Sequence, residues 1–112
     1  MIIDFNSISP VTIEGFKGGH GELLSHNFAD ADCKIMHSTL RPGASTGLHR
    51  HEGNCEIILV LSGTLTFHYD DSTETATAGQ VHYCPEGHSH YMENLTQAPA
   101  TYFAIVPQLR QG

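Results

Sequence analysis

Between residues 43 and 63 the chain reads Gly43-Ala-Ser-Thr-Gly-Leu-His49-Arg-His51-Glu-Gly-Asn-Cys-Glu56-Ile-Ile-Leu-Val-Leu-Ser-Gly63. His49 and His51 are two residues apart on a predicted strand, whose side chains alternate between its faces, so both imidazoles could chelate one ion. In the apolar run that follows, Glu56 shares a face with Ile58 and Val60. A carboxylate on an apolar inner face is costly to bury alone, and a bound metal ion removes that cost.

Short apolar runs broken by Gly, Pro, Asp and Ser clusters cover the rest of the chain, and no window shows the period of an amphipathic helix. These runs predict strands at Val11–Phe16, Glu22–Phe28, Cys33–Leu40, Gly47–His51, Cys55–Leu61, Thr64–Tyr69, Glu74–Thr77, Val81–Cys84, His90–Leu95 and Ala100–Val106. Many short strands at this spacing are typical of an all-β sandwich or barrel.

A second informative stretch reads Gly79-Gln-Val-His-Tyr-Cys-Pro85-Glu-Gly87-His-Ser-His90-Tyr-Met-Glu-Asn94. The first stretch resembles the first motif of the cupin family, which is Gly, five residues, His-x-His, three or four residues, Glu, six residues and Gly. The second resembles the second cupin motif, which is Gly, five residues, Pro-x-Gly, two residues, His, three residues and Asn. All ten fixed positions match, which chance would give about once in 10¹³ starting points.

The resemblance implies an all-β fold, the double-stranded β-helix or jelly-roll barrel of the cupins. It implies one cupin domain over residues 1–112, with motif 1 at 43–63 and motif 2 at 79–94. Carried over by position, the metal ligands are His49, His51, Glu56 and His90, and Asn94 is a structural member of the second motif.

The implied ligand set suits one divalent transition-metal ion per chain: manganese, iron, nickel, cobalt or zinc, which all accept mixed nitrogen and oxygen ligation. Three neutral imidazoles and one carboxylate leave the site with a net charge of +1. An octahedral ion would keep two positions open for water or for a small-molecule ligand, and the charge favours an anionic one.

Related cupins include dioxygenases, decarboxylases, isomerases and lyases beside sugar-binding and storage proteins, so the fold does not choose the reaction. The open positions favour a metal-dependent enzyme that acts on a small oxygen-rich acid, a sugar acid or an enol chelated at the metal. The alternative is a non-catalytic metal- or ligand-binding module, and a structural dimer with a vestigial site is a third possibility. The sequence assigns no catalytic residue.

The charge balance and the cysteines limit which partners and which cellular compartment are expected. Five Lys and Arg against twelve Asp and Glu give a formal charge of −7 over 112 residues, which repels nucleic acid and anionic membranes. No apolar stretch could span a membrane, and the N-terminus lacks the pattern of a signal peptide. Cys33, Cys55 and Cys84 form no CxxC pair, which favours reduced thiols. We therefore expect a cytoplasmic protein without nucleic-acid or membrane partners.

The run Cys55–Leu61 is apolar on both faces, and a barrel interior can bury only one of them. The other face must pack on a further layer or on a second copy of the chain. The sequence therefore predicts a homodimer.

Nine histidines stand out in the composition, and several polar residues near the motifs have open roles. His82 suits the surface or a contact with a ligand residue better than metal ligation, because the ligand set is already complete. His88 flanks a ligand in a turn, where we expect exposure, and strand parity alone does not decide which way His37 faces. Glu52 and Glu86 lie in loops near the predicted mouth of the barrel, where most carboxylates are only solvated.

Overall fold

The computed structural model describes residues 1–109, which form ten strands in two antiparallel sheets. The strands are β1 (Val11–Glu14), β2 (Glu22–Ala29), β3 (Cys33–Leu40), β4 (His49–Arg50), β5 (Glu56–Ser62), β6 (Thr64–Tyr69), β7 (Ser72–Thr77), β8 (Val81–Cys84), β9 (Ser89–Glu93) and β10 (Ala100–Pro107). One sheet has the strand order β1-β2-β3-β10-β5-β8 and the other has β4-β9-β6-β7. The predicted all-β fold class is confirmed. Residues 110–112 of the predicted domain lie outside the described residues.

The inner faces of the two sheets meet in one apolar core. Side chains alternate along each strand, so that β10 buries Ala100, Tyr102 and Ala104 while the residues between them lie on the outer face. The opposite sheet contributes Leu65 and Phe67, both with no exposed surface. Phe67 belongs to the core cluster between the sheets. Replacing such a fully buried Phe by Ala typically lowers the free energy of unfolding by about 3–5 kcal/mol.

Ten strands were predicted and ten are present, but several ends differ. β1 ends at Glu14 because Gly15 adopts a left-handed conformation, with φ of 65°, and Phe16 enters a 3-10 turn at Phe16–Gly18. β9 ends at Glu93, since the Asn94 amide donates to the carbonyl oxygens of Leu40 and Ala98 at 3.0 and 2.8 Å. Asn94 is therefore the structural residue that the motif implies.

The 3-10 turn lies directly against the segment that leads into β4. The Gly47 N–H donates to the Phe16 carbonyl at 2.9 Å. A Cβ atom on Gly47 would lie 1.6 Å from the Lys17 carbonyl oxygen, and one on Gly19 would lie 2.1 Å from the Ser45 carbonyl oxygen. This backbone contact holds Phe16 and Lys17 at the open end of the barrel. Among residues 1–109, no helix has the length and hydropathy to cross a membrane.

Candidate metal centre

Four side chains from both sheets converge at one end of the barrel. His49 and His90 face each other across the β4–β9 pair, and Glu56 begins β5 in the other sheet. His51 follows β4 and stays attached to the second motif, because its N–H donates to the His88 carbonyl at 3.0 Å. The loop between His51 and Glu56 turns at Gly53, with φ of 74°, and so carries the chain from one sheet to the other.

The ligand atoms of these four residues all lie within 4.8 Å of one another. The His90 Nε2 atom lies 3.0 Å from His51 Nε2 and 3.1 Å from His49 Nε2. The Glu56 Oε1 atom lies 2.9 Å from His90 Nε2, 3.3 Å from His51 Nε2 and 3.9 Å from His49 Nε2. The structure thus brings the four predicted side chains into a cluster that could hold a metal ion.

The ring nitrogens on the far side of each imidazole set the tautomers. His49 Nδ1 lies 2.8 Å from the Gly47 carbonyl oxygen, and His51 Nδ1 lies 2.7 Å from Asn54 Oδ1. Both partners are acceptors, so each Nδ1 carries the proton and each Nε2 presents a lone pair to the cluster.

His90 reaches the same tautomer through a longer chain of contacts. Its Nδ1 lies 3.0 Å from His82 Nε2, and His82 Nδ1 lies 2.7 Å from Glu74 Oε1. An ionised Glu74 only accepts, so His82 donates from Nδ1, accepts at Nε2 and receives the His90 Nδ1–H. Burial lowers the pKa of His82, which favours the neutral ring that this arrangement requires.

The donor set fits a transition-metal ion. Lone pairs on three imidazole nitrogens and a carboxylate repel one another at about 3 Å unless a cation lies between them. Adjacent ligand atoms are about 3.0 Å apart in an octahedral complex with bonds of about 2.1 Å, and about 3.4 Å apart in a tetrahedral one. The separations of His90 Nε2 from its three neighbours lie between 2.9 and 3.1 Å, and Glu56 Oε1 lies 3.3 and 3.9 Å from the other two imidazoles, so the four donors are close enough together to share one ion.

Glu56 is 8% exposed. Burial alone would raise its pKa, but the imidazoles of His49, His51 and His90 around the carboxylate outweigh burial and hold the pKa well below its ordinary value. The carboxylate is therefore ionised at neutral pH, in the form in which it could ligate a cation.

A cavity of about 400 Å³ opens from the cluster toward the Phe16 end of the barrel. Apolar side chains such as Phe16, Met36 and Met92 form part of its wall. Three of the five Lys and Arg residues of the chain, Lys17, Lys34 and Arg50, also line it, against two carboxylates, those of Glu52 and Glu56. Positive charge is thus concentrated at this cavity in a chain whose formal charge is −7.

The structure separates the other sequence candidates. His82 is 2% exposed and contacts His90, so its predicted contact with a ligand is present and a surface position is excluded. His88 is partly exposed and contacts Asp70 at 2.5 Å. His37 lies on the outer face, 5.6 Å from the Phe5 ring. Glu86 accepts from the Gly53 N–H at 2.7 Å, and so helps to hold the loop between His51 and Glu56.

A protein-family model described as a cupin domain matches residues 36–106. The chain belongs to the cupin family. An oxalate-binding protein from Thermotoga maritima is 34% identical in an alignment of 115 positions that covers 95% of this cupin and 93% of that relative. Germin-like protein 1-1 from Oryza sativa subsp. japonica is 34% identical in an alignment of 76 positions that covers 63% of this cupin and 35% of that relative.

Solved structures agree with this assignment. A predicted oxalate decarboxylase from Thermotoga maritima superposes on the cupin with a TM-score of 0.90 and 30% identity, over 97% of this chain and all of that chain. A sugar phosphate isomerase from Silicibacter pomeroyi superposes with a TM-score of 0.76 and 23% identity, over 96% of this chain and 76% of that one. The second likeness shows the shared fold alone.

Proposed function

We propose that this cupin binds one divalent transition-metal ion through His49, His51, Glu56 and His90, and that a small, anionic, oxygen-rich acid chelates this ion. The observation that carries the proposal is the convergence of three imidazole nitrogens and an ionised carboxylate, whose ligand atoms all lie within 4.8 Å of one another. Four protein ligands leave two positions of an octahedral ion, which suit the two oxygens of a chelating acid.

The charge around the cavity supports an anionic ligand. A divalent ion with Glu56 carries a net charge of +1, and Lys17, Lys34 and Arg50 add positive charge around it. The oxalate-binding protein from Thermotoga maritima is named for an acid of this type, and oxalate is therefore the first ligand to test.

Metal content measured by elemental analysis, on protein purified without an affinity metal or a chelator, tests the first half of the proposal. We expect about one transition-metal ion per chain, and a sharp loss of metal when His49, His51 or His90 is replaced by Ala. His68→Ala is the matched control, because His68 also contacts a carboxylate, that of Glu93 at 2.6 Å, but lies outside the cluster. Protein that holds no metal, and takes up none on reconstitution, would leave a vestigial site.

Calorimetric titration of the metal-loaded protein with oxalate tests the second half. We expect saturable binding that disappears when the metal is removed, because the two chelating oxygens need the ion. If neither oxalate nor any other small acid or enol binds the loaded protein, the ligand-binding half of the proposal is wrong.

Catalysis by the same site is the second candidate. Glu52 lines the cavity and lies 3.5 Å from Arg50, so a carboxyl group is available to move a proton near a chelated acid. Release of carbon dioxide from oxalate without oxygen uptake would indicate a decarboxylase, and metal-dependent oxygen uptake would indicate an oxidative reaction. Binding without turnover of oxalate, sugar acids or enols would make the protein a binding module.

Assembly and location extend the proposal. The outer face of β5 and β8 presents Val81 and Tyr83, which are 55% and 52% exposed, beside Ile57 and Leu59. We propose that a second copy of the chain covers this face, which would make the protein a homodimer. The three free cysteines among the described residues are consistent with a cytoplasmic location, which stays a prediction.

A further inference from the structure

A row of buried hydroxyl groups crosses the inner face of the six-stranded sheet and lines the same cavity as the metal cluster. Ser25 on β2 pairs with Ser38 on β3, and Ser38 pairs with Tyr102 on β10. The three residues are 2%, 1% and 3% exposed, and none belongs to the metal cluster. A hydrophobic core could fill these positions at lower cost, because buried hydroxyl groups stabilise a fold only when they are hydrogen-bonded.

The hydrogen bonds of the two serines use their protons and leave acceptor capacity. Ser25 donates to Asn27 Oδ1 at 2.5 Å, so in the 2.7 Å contact between the two serines Ser38 is the donor. Tyr102 contacts Ser38, and burial raises the pKa of its hydroxyl, which therefore stays protonated. Each hydroxyl group has one proton and two lone pairs, so the row can still accept hydrogen bonds from a further donor.

We infer that the Ser25–Ser38–Tyr102 row is a second ligand subsite, and that the ligand is a polyhydroxylated monocarboxylic acid longer than oxalate. The inference rests on the proposed chelation of a carboxylate at the metal. The acid's carboxylate and adjacent hydroxyl bind the ion, and its distal hydroxyl groups donate to the row. A distal carboxylate only accepts and would not match the row.

The size and burial of the cavity fit such a ligand. Pockets for small organic ligands have volumes of about 300–1,000 Å³, and this cavity of about 400 Å³ is far larger than the two-carbon oxalate ion needs. Hydrogen bonds made away from water discriminate strongly against analogues that lack the donor, because a desolvated partner is then left unpaired.

A ligand pair that differs only in distal hydroxyl groups tests the inference. Metal-loaded protein is titrated calorimetrically with 2-hydroxybutyrate and with the four stereoisomers of 2,3,4-trihydroxybutyrate, which share chain length and chelating head. We expect at least one trihydroxy acid to bind at least tenfold more tightly than 2-hydroxybutyrate. Equal affinities, or a distal dicarboxylate such as malate binding more tightly than all four stereoisomers, would overturn the inference.

Substitutions assign the preference to the row. Ser38→Ala should reduce the tenfold preference for the trihydroxy acid over 2-hydroxybutyrate at least fivefold. Metal content and oxalate affinity should stay within twofold of the wild-type values. If Ser38→Ala does not fold, Tyr102→Phe tests the same point. Ser62→Ala is the matched control, because Ser62 makes a cross-strand hydroxyl bond to Thr101 outside the cavity. If the preference survives in both row variants, the inference is contradicted even if oxalate binds. If metal-loaded wild-type protein binds none of the acids, the proposed function is contradicted instead.

Discussion

Each histidine of the cluster has a different acceptor behind it: the Gly47 carbonyl oxygen for His49, the Asn54 side chain for His51 and the His82 ring for His90. Such outer contacts orient a ligand ring and fix the nitrogen that carries the proton, and their loss typically lowers metal affinity. His49 and His51 each have a single partner, whereas the contact of His90 with His82 continues to Glu74.

Glu74→Ala tests whether this chain supports His90. The side chain of Glu74 is 53% exposed, so its removal should leave the fold intact. His82 would lose the acceptor that fixes its tautomer, and we expect metal affinity to fall about 10–100-fold. The measurement is a competition titration of the metal against a chelator of known affinity.

Glu93→Ala is the control for that titration. Glu93 also accepts from a histidine of the same sheet, His68, whose ring stacks on Tyr91 rather than on a cluster residue. Metal affinity should be unchanged in this variant. Unchanged affinity in Glu74→Ala as well would show that His82 alone suffices to orient His90.

Single residues show where sequence reasoning reaches the site and where it stops. His49, His51, Glu56 and His90 stand at motif positions, and strand parity already puts Glu56 on the face of Ile58 and Val60, which the structure shows to be the inner one. Glu74 carries no such signal, because a carboxylate on a short polar strand is ordinarily solvated. Its contact with His82 depends on how distant strands approach each other, which local patterns do not encode.

The turn between β6 and β7 is tied to the start of β9 by one carboxylate. Asp70 accepts from the Ser89 N–H at 3.0 Å and contacts His88 Nδ1 at 2.5 Å. The Ser89 N–H and then His88 lower the pKa of Asp70, which therefore stabilises the fold in its ionised form. The turn residue thus anchors the strand that carries His90.

Asp70→Asn should lower the Tm by a few degrees at pH 7 and progressively less in acid. Because the pKa of Asp70 is lowered by folding, it lies below the value of about 3.9 that an Asp carboxyl has in the unfolded chain. Its contribution is therefore complete above that value and is lost as pH falls through the folded-state pKa. Asn tolerates the left-handed conformation of residue 70, with φ of 49°. Thermal melts between pH 3 and 7 measure the effect.

Asp71→Asn is the comparison for those melts, because Asp71 is exposed in the same turn. We expect its melts to follow wild type at every pH. A Tm difference between Asp70→Asn and wild type that persists undiminished at pH 3 would mean that charge is not the cause.

Strand positions follow from local pattern, whereas the partition into sheets does not. Alternation and Gly or Pro breaks predict all ten strands, since these are properties of neighbouring residues. That β10 lies between β3 and β5 depends on contacts between residues about forty or more positions apart in the chain. Boundaries set by such contacts, as at Asn94, were accordingly missed.

Across the whole molecule, the apolar part of the outer face of the six-stranded sheet lies on β5, β8 and β10. Ile57 pairs with Tyr83, and Leu59 pairs with both Val81 and Phe103, so these side chains form one continuous surface. Such a surface in a small barrel is typical of an interface between subunits.

Replacing Val81 and Tyr83 together by Lys should convert the proposed dimer to a monomer. Lysine side chains placed in an apolar interface cannot be buried there without a charged partner. Light scattering at micromolar concentration should report half the wild-type mass. Leu95→Lys, at another exposed apolar residue, should leave the mass unchanged. A monomeric wild-type protein would contradict the homodimer.

The contact between Gly47 and the Lys17 carbonyl constrains how this family of sequences can vary. Both Gly47 and Gly19 have backbone angles outside the left-handed region, so conformation alone would permit other residues. Space does not, because even the single carbon of Ala would overlap backbone oxygen. A mutational scan should therefore find that neither glycine tolerates replacement, although Gly47 contacts the candidate metal centre only through its carbonyl oxygen, on His49.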